Sequence, residues 1–278
     1  MSITLSGIHI YPVKGLGGIT LDEATCTARG LKHDRRFLII DQDNQFVTQR
    51  ELPRMAAIWT DIGAGQLELA AEDREPVYVD AEPRALPTRV VGIWSSQVQA
   101  HTVSGEADEW LSDYLGLDVR LVYMPDNSER RCNPEFAKNN EIVSFADGFP
   151  FLITSEASLA DLNGKITAAG GAVVPMNRFR SNLVVSAGLE AAGAVDAAPW
   201  VEDGWNEIGI GSAVFRAAKP CGRCQVTTND QATGAVCGPE PLKTLSSFRN
   251  TDKGILFGVN LVPVKLGKVH IGDTLSFK

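Results

Sequence analysis

The segment Lys219-Pro220-Cys221-Gly222-Arg223-Cys224-Gln225-Val226-Thr227-Thr228 sets two thiols around an arginine. A thiolate, not a thiol, binds a soft metal or attacks an electrophile, and nearby cations favour it. Arg223 and Lys219 are suited to supply that field. The spacing fits several chemistries. Half of a structural zinc site needs a second pair of ligands; Cys26, Cys132 and Cys237 are isolated, and His9, His33, His101 and His270 are scattered. A thioredoxin-like pair should open a helix whose dipole stabilises the thiolate. Here Val226, Thr227 and Thr228 have strand character and lead into a turn from Asn229 to Gly234, which predicts a hairpin. A metal or cofactor thiolate, an incidental structural pair and a dithiol all stay open at this point.

Other residues are placed where they could meet an anion. Lys14 stands at the exit of a first strand, where Tyr11-Pro12-Val13-Lys14-Gly15 stops an imperfect alternation of Ile3, Leu5, Ile8 and Ile10. Phe151-Leu152-Ile153-Thr154-Ser155-Glu156 runs from an apolar strand into a helix start, with Ser155 as cap and Glu156 at the positive dipole end. Asn163-Gly164 is the expected stop. Free N–H groups at such a start suit an anion. Arg180 and Asn182 differ by two and would point the same way if the strand Leu183-Val184-Val185 already begins there. Arg130, Arg131 and Lys138 lie in a polar stretch that reads as a solvated loop.

Composition bounds the partners. A net charge of −8 argues against sequence-independent nucleic-acid binding, which needs a basic surface. Five cysteines without a regular framework fit a reducing compartment. The N-terminus lacks the basic start and apolar core of a signal peptide, and no apolar run approaches the roughly 20 residues of a membrane span. A cytoplasmic protein without membrane or nucleic-acid partners is expected.

The elements that must position these residues are mostly strands. Phe37-Leu38-Ile39-Ile40 and Phe46-Val47-Thr48 flank a turn, and short strands follow at Leu67–Leu69, Val77–Val79 and Arg89–Val91. One helix stands out: Ala107, Trp110, Leu111, Tyr114 and Leu115 form a stripe between a Ser104 cap and a Gly116 stop. The pattern Trp205, Ile208, Ile210, Val214, Phe215 predicts a hairpin leading into the cysteine pair. Pro239-Glu240-Pro241 introduces a helix over Leu242–Arg249, and Phe257–Val262 and Val269–Leu275 close the chain as strands. The expected fold is α+β, mainly β, in two domains over residues 1–124 and 125–278, with barrel architecture and a few packed helices.

Taken together, Tyr11-Pro12-Val13-Lys14, Asp34-Arg35, Pro150 to Asn163, Phe179-Arg180-x-Asn182, Cys221-x-Arg223-Cys224-x-x-Thr227-Thr228, Pro241 to Arg249 and Phe257-Gly258 resemble the MOSC family. The resemblance is to its branch with an N-terminal β-barrel (MOSC_N) domain, which includes amidoxime-reducing and N-hydroxylaminopurine-detoxifying proteins. It implies a molybdenum cofactor, molybdenum on a molybdopterin dithiolene with a terminal phosphate, and no pyridoxal phosphate. By motif position Cys224 matches the metal ligand and catalytic thiolate. Lys14, Arg35 and Arg180, with Thr154 and Ser155, match the phosphate cradle; Arg223, Asn182 and Asn260 match further cofactor contacts. Two positions depart from the pattern: Gly15 and Gly222 stand where many members have hydroxyl residues. The implied reaction reduces N-hydroxylated small molecules such as amidoximes or N-hydroxylated nucleobases. The implied electron donor is a separate flavin reductase, ferredoxin or b-type haem protein. A cofactor or sulfur carrier without turnover is the alternative.

Overall fold

The computed structural model describes residues 2–187 and 198–278. It is mainly β, with three α-helices among the described residues, α1 (Gly105–Leu115), α2 (Glu156–Ala168) and α3 (Leu242–Phe248). None of the described helices is long and apolar enough to cross a membrane. The largest sheet has nine strands. Its path runs Leu275–Phe277, Glu207–Ile210, Ala213–Gly222, Gly254–Lys265, Phe151–Ser155, Leu183–Ala187, Ile3–Ile10, Ile19–Leu21, with Asn250–Thr251 beside Gly254–Lys265. A four-stranded sheet orders Phe37–Ile40, Arg120–Tyr123, Ser96–Thr102 and Thr88–Ile93, and a three-stranded one joins Trp59–Gly63, Gln66–Ala71 and Arg74–Asp80.

Strands from before residue 124 pair with strands beyond it. Strand Ile3–Ile10 pairs with Leu183–Ala187, and Glu23–Thr27 pairs with Gly267–His270, so the first segment of the chain completes the C-terminal sheets. Its imperfect alternation has a physical cause. The register shifts between Leu5 and Gly7, a bulge that resets which side chains face inward. Ile3, Leu5, Ile8 and Ile10 then all bury in one core with Phe151, Phe215 and Leu261. A second core, built on Val13, Phe37, Leu69 and Leu111, fills the N-terminal half.

Helix α1 forms as the stripe and caps predict. The Ser104 hydroxyl accepts from the Ala107 N–H, and Gly116 takes the left-handed conformation (φ +69) that ends the helix. Helix α2 corrects an expectation: Asn163-Gly164 does not stop it. Asn163 turns its amide outward, accepting from the Val174 N–H at 2.9 Å and donating to the Val174 carbonyl at 3.0 Å. The helix runs on to Ala168 and buries Ile166 against Leu162 and Phe179.

The hairpin Glu207–Ile210 with Ala213–Gly222 forms as expected, and its second strand carries Cys221. Three register shifts against Gly254–Lys265 bend that strand, including one beside Pro220, which has no N–H to give a ladder. Beyond Cys224 the expected strand is absent. Gln225–Thr228 is a 3-10 turn because the threonine hydroxyls bond backward, Thr227 Oγ1 to the Cys224 carbonyl (2.9 Å) and Thr228 Oγ1 to that of Gln225 (2.7 Å). The following turn does close, through a bridge between Asn229 and Val236.

Candidate active site

Both cysteines of the motif line one cleft that is open to solvent. Lys14, Arg35, Arg50, Arg178, Arg180 and Arg223 also line it, with Asp147 as the one carboxylate among the lining residues. In a chain of net charge −8 this is a local concentration of positive charge. The lining comes from both sides of residue 124.

The arginines are held rather than displayed. Arg35 sits at φ +46, its N–H bonded to the Tyr11 carbonyl at 2.8 Å and its Nη1 to the Asp34 carboxylate at 2.8 Å. Asp34 accepts in turn from the Tyr11 N–H at 2.8 Å. Arg35 Nη2 donates to the Arg180 carbonyl at 3.0 Å. Arg180, at φ +52, gives Nη1 to Gln231 Oε1 (2.8 Å) and Nη2 to the Leu16 carbonyl (2.7 Å). Both guanidinium carbons lie close to the Tyr11 ring, 4.3 and 4.2 Å from its centroid. Burial, joined by the Arg35 charge, brings Arg180 down to about 10, so it stays cationic at neutral pH. Burial also pushes the Tyr11 phenol up, against the pull of Arg180 and Arg35, and keeps it neutral. Both arginines take the left-handed backbone conformation, as do eight other non-glycine residues among those described.

The segment Arg178 to Asn182 ties the parts together. Arg178 Nη1 donates to the Thr228 carbonyl at 2.8 Å and Nη2 meets Asp230 Oδ2 at 3.3 Å. Asp230 Oδ1 meanwhile accepts from the N–H groups of Ala232 and Thr233, so its role is in the turn. The Phe179 carbonyl accepts from Arg223 Nη2, and Arg223 Nη1 lies 3.0 Å from the Cys221 sulfur. Cys224 is half-buried, and its carbonyl accepts from both the N–H and the hydroxyl of Thr227.

Opposite lies the pair of Lys14 and Asp147, in close contact. Lys14 is nearly enclosed, with 12% of its side chain exposed, whereas Asp147 keeps 70% open. Burial draws the Lys14 amine down, with Asp147 opposing. For Asp147 the crowding of the cleft disfavours charge, but Lys14, Arg35 and Arg50 outweigh it and hold the carboxyl well below the usual range. The loop bearing Asp147 is fixed by Arg130, which donates to the carbonyls of Ser144 (3.1 Å), Ala146 (2.5 Å) and Asp147 (2.7 Å). Arg130 is therefore not part of a solvated charge run; it is 7% exposed because three carbonyls replace its water.

Of the residues singled out in the sequence, Lys14, Arg35, Arg180, Asn182, Arg223, Cys224 and Asn260 all line the cleft. Thr154 and Ser155 do not. Thr154 Oγ1 is spent on Ser181 Oγ at 2.9 Å, and Ser155 caps α2 without a side-chain bond. Beside them Glu156 accepts from Ser6 Oγ at 2.7 Å, so the start of α2 is committed to the first strand. Sequence reasoning missed Gln49, Arg50, Trp94, Asp147 and Arg178. Only Trp94 left a local signal, a tryptophan at a turn between two alternating strands.

A metal bound at Cys224 must bring most of its own ligands. Among the described residues no three His, Cys, Asp or Glu side chains cluster as ligands. Cys224 beside a cationic cleft fits a metal carried on a sulfur-donating, phosphate-bearing group. On two of the lining arginines, Arg178 Nε and Arg223 Nε are buried without a hydrogen-bond partner.

Comparison with known families decides the lineage. Residues 2–118 match the MOSC N-terminal beta barrel domain, and residues 140–276 match the MOSC domain. The chain belongs to the MOSC family. Mitochondrial amidoxime reducing component 2 of Bos taurus is 33% identical over 97% of this chain and 82% of its own length. Mitochondrial amidoxime-reducing component 1 is 32% identical in Mus musculus and 31% in Homo sapiens, each over 97% of this chain and 81% of the relative.

Two predictions follow from how this MOSC protein holds its cleft. Asn182, 2% exposed, accepts from the Leu152 N–H (3.2 Å) and donates to the His9 carbonyl (3.1 Å), joining two strands at the cleft floor. Asn182→Ala orphans both backbone groups and should cost about 2–4 kcal/mol in urea denaturation; a loss under about 1 kcal/mol would contradict this account. The two glycine departures should behave differently. Gly15 has φ +88, and a Cβ there would come 2.8 Å from Met55 Cε, so Gly15→Ser should destabilise by about 1 kcal/mol or more. Gly222 is outside the left-handed region and its Cβ would meet only the Lys253 carbonyl at 3.1 Å, so Gly222→Ser should cost less than Gly15→Ser in the same assay.

Proposed function

We propose that this MOSC protein binds a molybdenum cofactor in the cleft and reduces N-hydroxylated compounds, amidoximes and N-hydroxylated nucleobases among them. One observation carries the reading: six cations and Cys224 converge on one cleft in a chain about one-third identical, over nearly its whole length, to amidoxime-reducing components. When bound, the cofactor supplies the two-electron chemistry that breaks the N–O bond. Two electrons and two protons enter, and the products are the amine or amidine and water.

The residues of the chain do the rest. Cys224 provides the protein's ligand from a backbone pinned by Thr227. Lys14, Arg35 and Arg180 neutralise the phosphate, and Arg223 and Asn260 border the remainder of the cofactor. Asn182 contributes by holding the floor, since its amide is already spent. Arg178 keeps the turn after Cys224 in register with the arginine segment. We assign the electron supply to a separate flavin, ferredoxin or b-type haem protein, as the resemblance implies.

The test is elemental analysis for molybdenum and oxidised-pterin fluorescence on protein from a cofactor-competent host, followed by reductant-dependent loss of benzamidoxime. Near-stoichiometric metal and pterin with benzamidine formation is the expected result. Metal and pterin without turnover of any N-hydroxy compound would point to a carrier instead. Absence of both, in a host that loads another molybdoenzyme, would overturn the reading.

A further inference from the structure

We propose that Trp94 is the platform on which flat substrates stack, making planar aromatic and heteroaromatic N-hydroxy compounds the preferred class; this rests on the function proposed above. Trp94 occupies the first position of a two-residue turn joining Thr88–Ile93 to Ser96–Thr102, where Ile93 pairs with Ser96. Its φ is +52, while Ser95 stays out of the left-handed region. A hairpin turn with positive φ only at its first central position favours glycine. A tryptophan there is strained, so the demands of the turn do not account for the residue.

The side chain is instead built into the cleft. Trp94 lines it with 41% of its surface still exposed. The Arg50 guanidinium lies 4.6 Å from its ring centroid, and Phe46 meets it edge-on at 4.7 Å. The Lys14 amine lies 5.8 Å from the same centroid, and these contacts hold the indole while part of the residue stays exposed. Arg50 is in turn tied to the residue after the proposed metal ligand, its carbonyl accepting from Gln225 Nε2 at 3.0 Å. The ring is thereby joined through Arg50 to the Cys224 segment. A partly exposed aromatic ring among the lining residues, anchored to that segment, suits a flat π-system entering from solvent.

The test uses the loaded enzyme, with Trp94→Gly as the truncation, because glycine suits this turn, and Trp94→Phe as the conservative variant. The ratio of kcat/KM for benzamidoxime to that for acetamidoxime should fall about five- to tenfold in Trp94→Gly. It should be largely kept in Trp94→Phe, with the change in KM and with molybdenum and pterin contents equal to wild type. An unchanged ratio overturns the proposal. Loss of molybdenum or pterin in Trp94→Gly also overturns it, since the ring would then be a wall for the cofactor. If wild type turns over no N-hydroxy compound, the functional reading fails, and calorimetric binding of benzamidine against acetamidine decides the platform alone. A planar preference that disappears in Trp94→Gly supports it, and equal binding in all three proteins ends it.

Discussion

Replacing Cys224 by alanine is expected to remove molybdenum and turnover together while leaving the fold intact. The side chain is half-buried, and the backbone around it is held by Thr227, whose N–H and hydroxyl both reach the Cys224 carbonyl. Neither bond involves the sulfur. The variant should therefore melt close to wild type, yet lose the sulfur that the proposed function assigns to the metal. The loss of benzamidoxime reduction should exceed about 100-fold, beyond the 10–100-fold typical of residues that only support metal ligands. Cys221→Ala separates this from dithiol chemistry. The Cys221 sulfur is met by Arg223 Nη1, so its loss should loosen Arg223 and leave the metal in place. Turnover retained by Cys224→Ala without molybdenum would sink the metal assignment. Equal dependence on both thiols in metal-free protein would establish the dithiol.

The second large effect is expected at Arg180. Its side chain reaches Gln231 and the Leu16 carbonyl, its ring contact is Tyr11, and its own carbonyl holds Arg35. Arg180→Ala removes a cation from the cleft and unpairs the groups that framed it. Charge-assisted hydrogen bonds contribute about 1.5–3 kcal/mol, so affinity for a phosphate-bearing ligand should fall roughly 10- to 150-fold. Pterin content after purification and calorimetric titration with pyrophosphate would both read this. Arg180→Lys restores the charge without the planar fork and should recover only part of the affinity. Unchanged pterin occupancy in Arg180→Ala would remove Arg180 from the cradle.

Several features were legible because their causes are local. The cap, stripe and stop of α1 lie within 13 residues, Ser104 to Gly116, and the structure keeps all three. The hairpin entering Cys221 also formed as its alternation predicts. Others failed where a side-chain hydrogen bond competed with the expected pattern. Thr227 and Thr228 favour strand by β-branching, but their hydroxyls found carbonyls three residues back and curled the chain. Asn163-Gly164 looks like a helix end until Val174 arrives to occupy the asparagine amide.

By itself, the sequence determined the family motif, the cysteine pair, the mainly β character and most of the cations that line the cleft, because residue type and short spacing carry that information. Only the tertiary structure decided which groups face one another. Lys14 meets Asp147 across 133 residues, Arg130 is drawn out of water by three carbonyls, and Trp94 and Arg50 come to border the same space as Cys224. It also turned the start of α2 away from the cleft and placed the first strand in the C-terminal sheet. The physical reason is common to all of these. A charge or hydrogen-bond donor is satisfied by whatever folding brings within about 3 Å, and at separations of a hundred residues no local pattern records that partner.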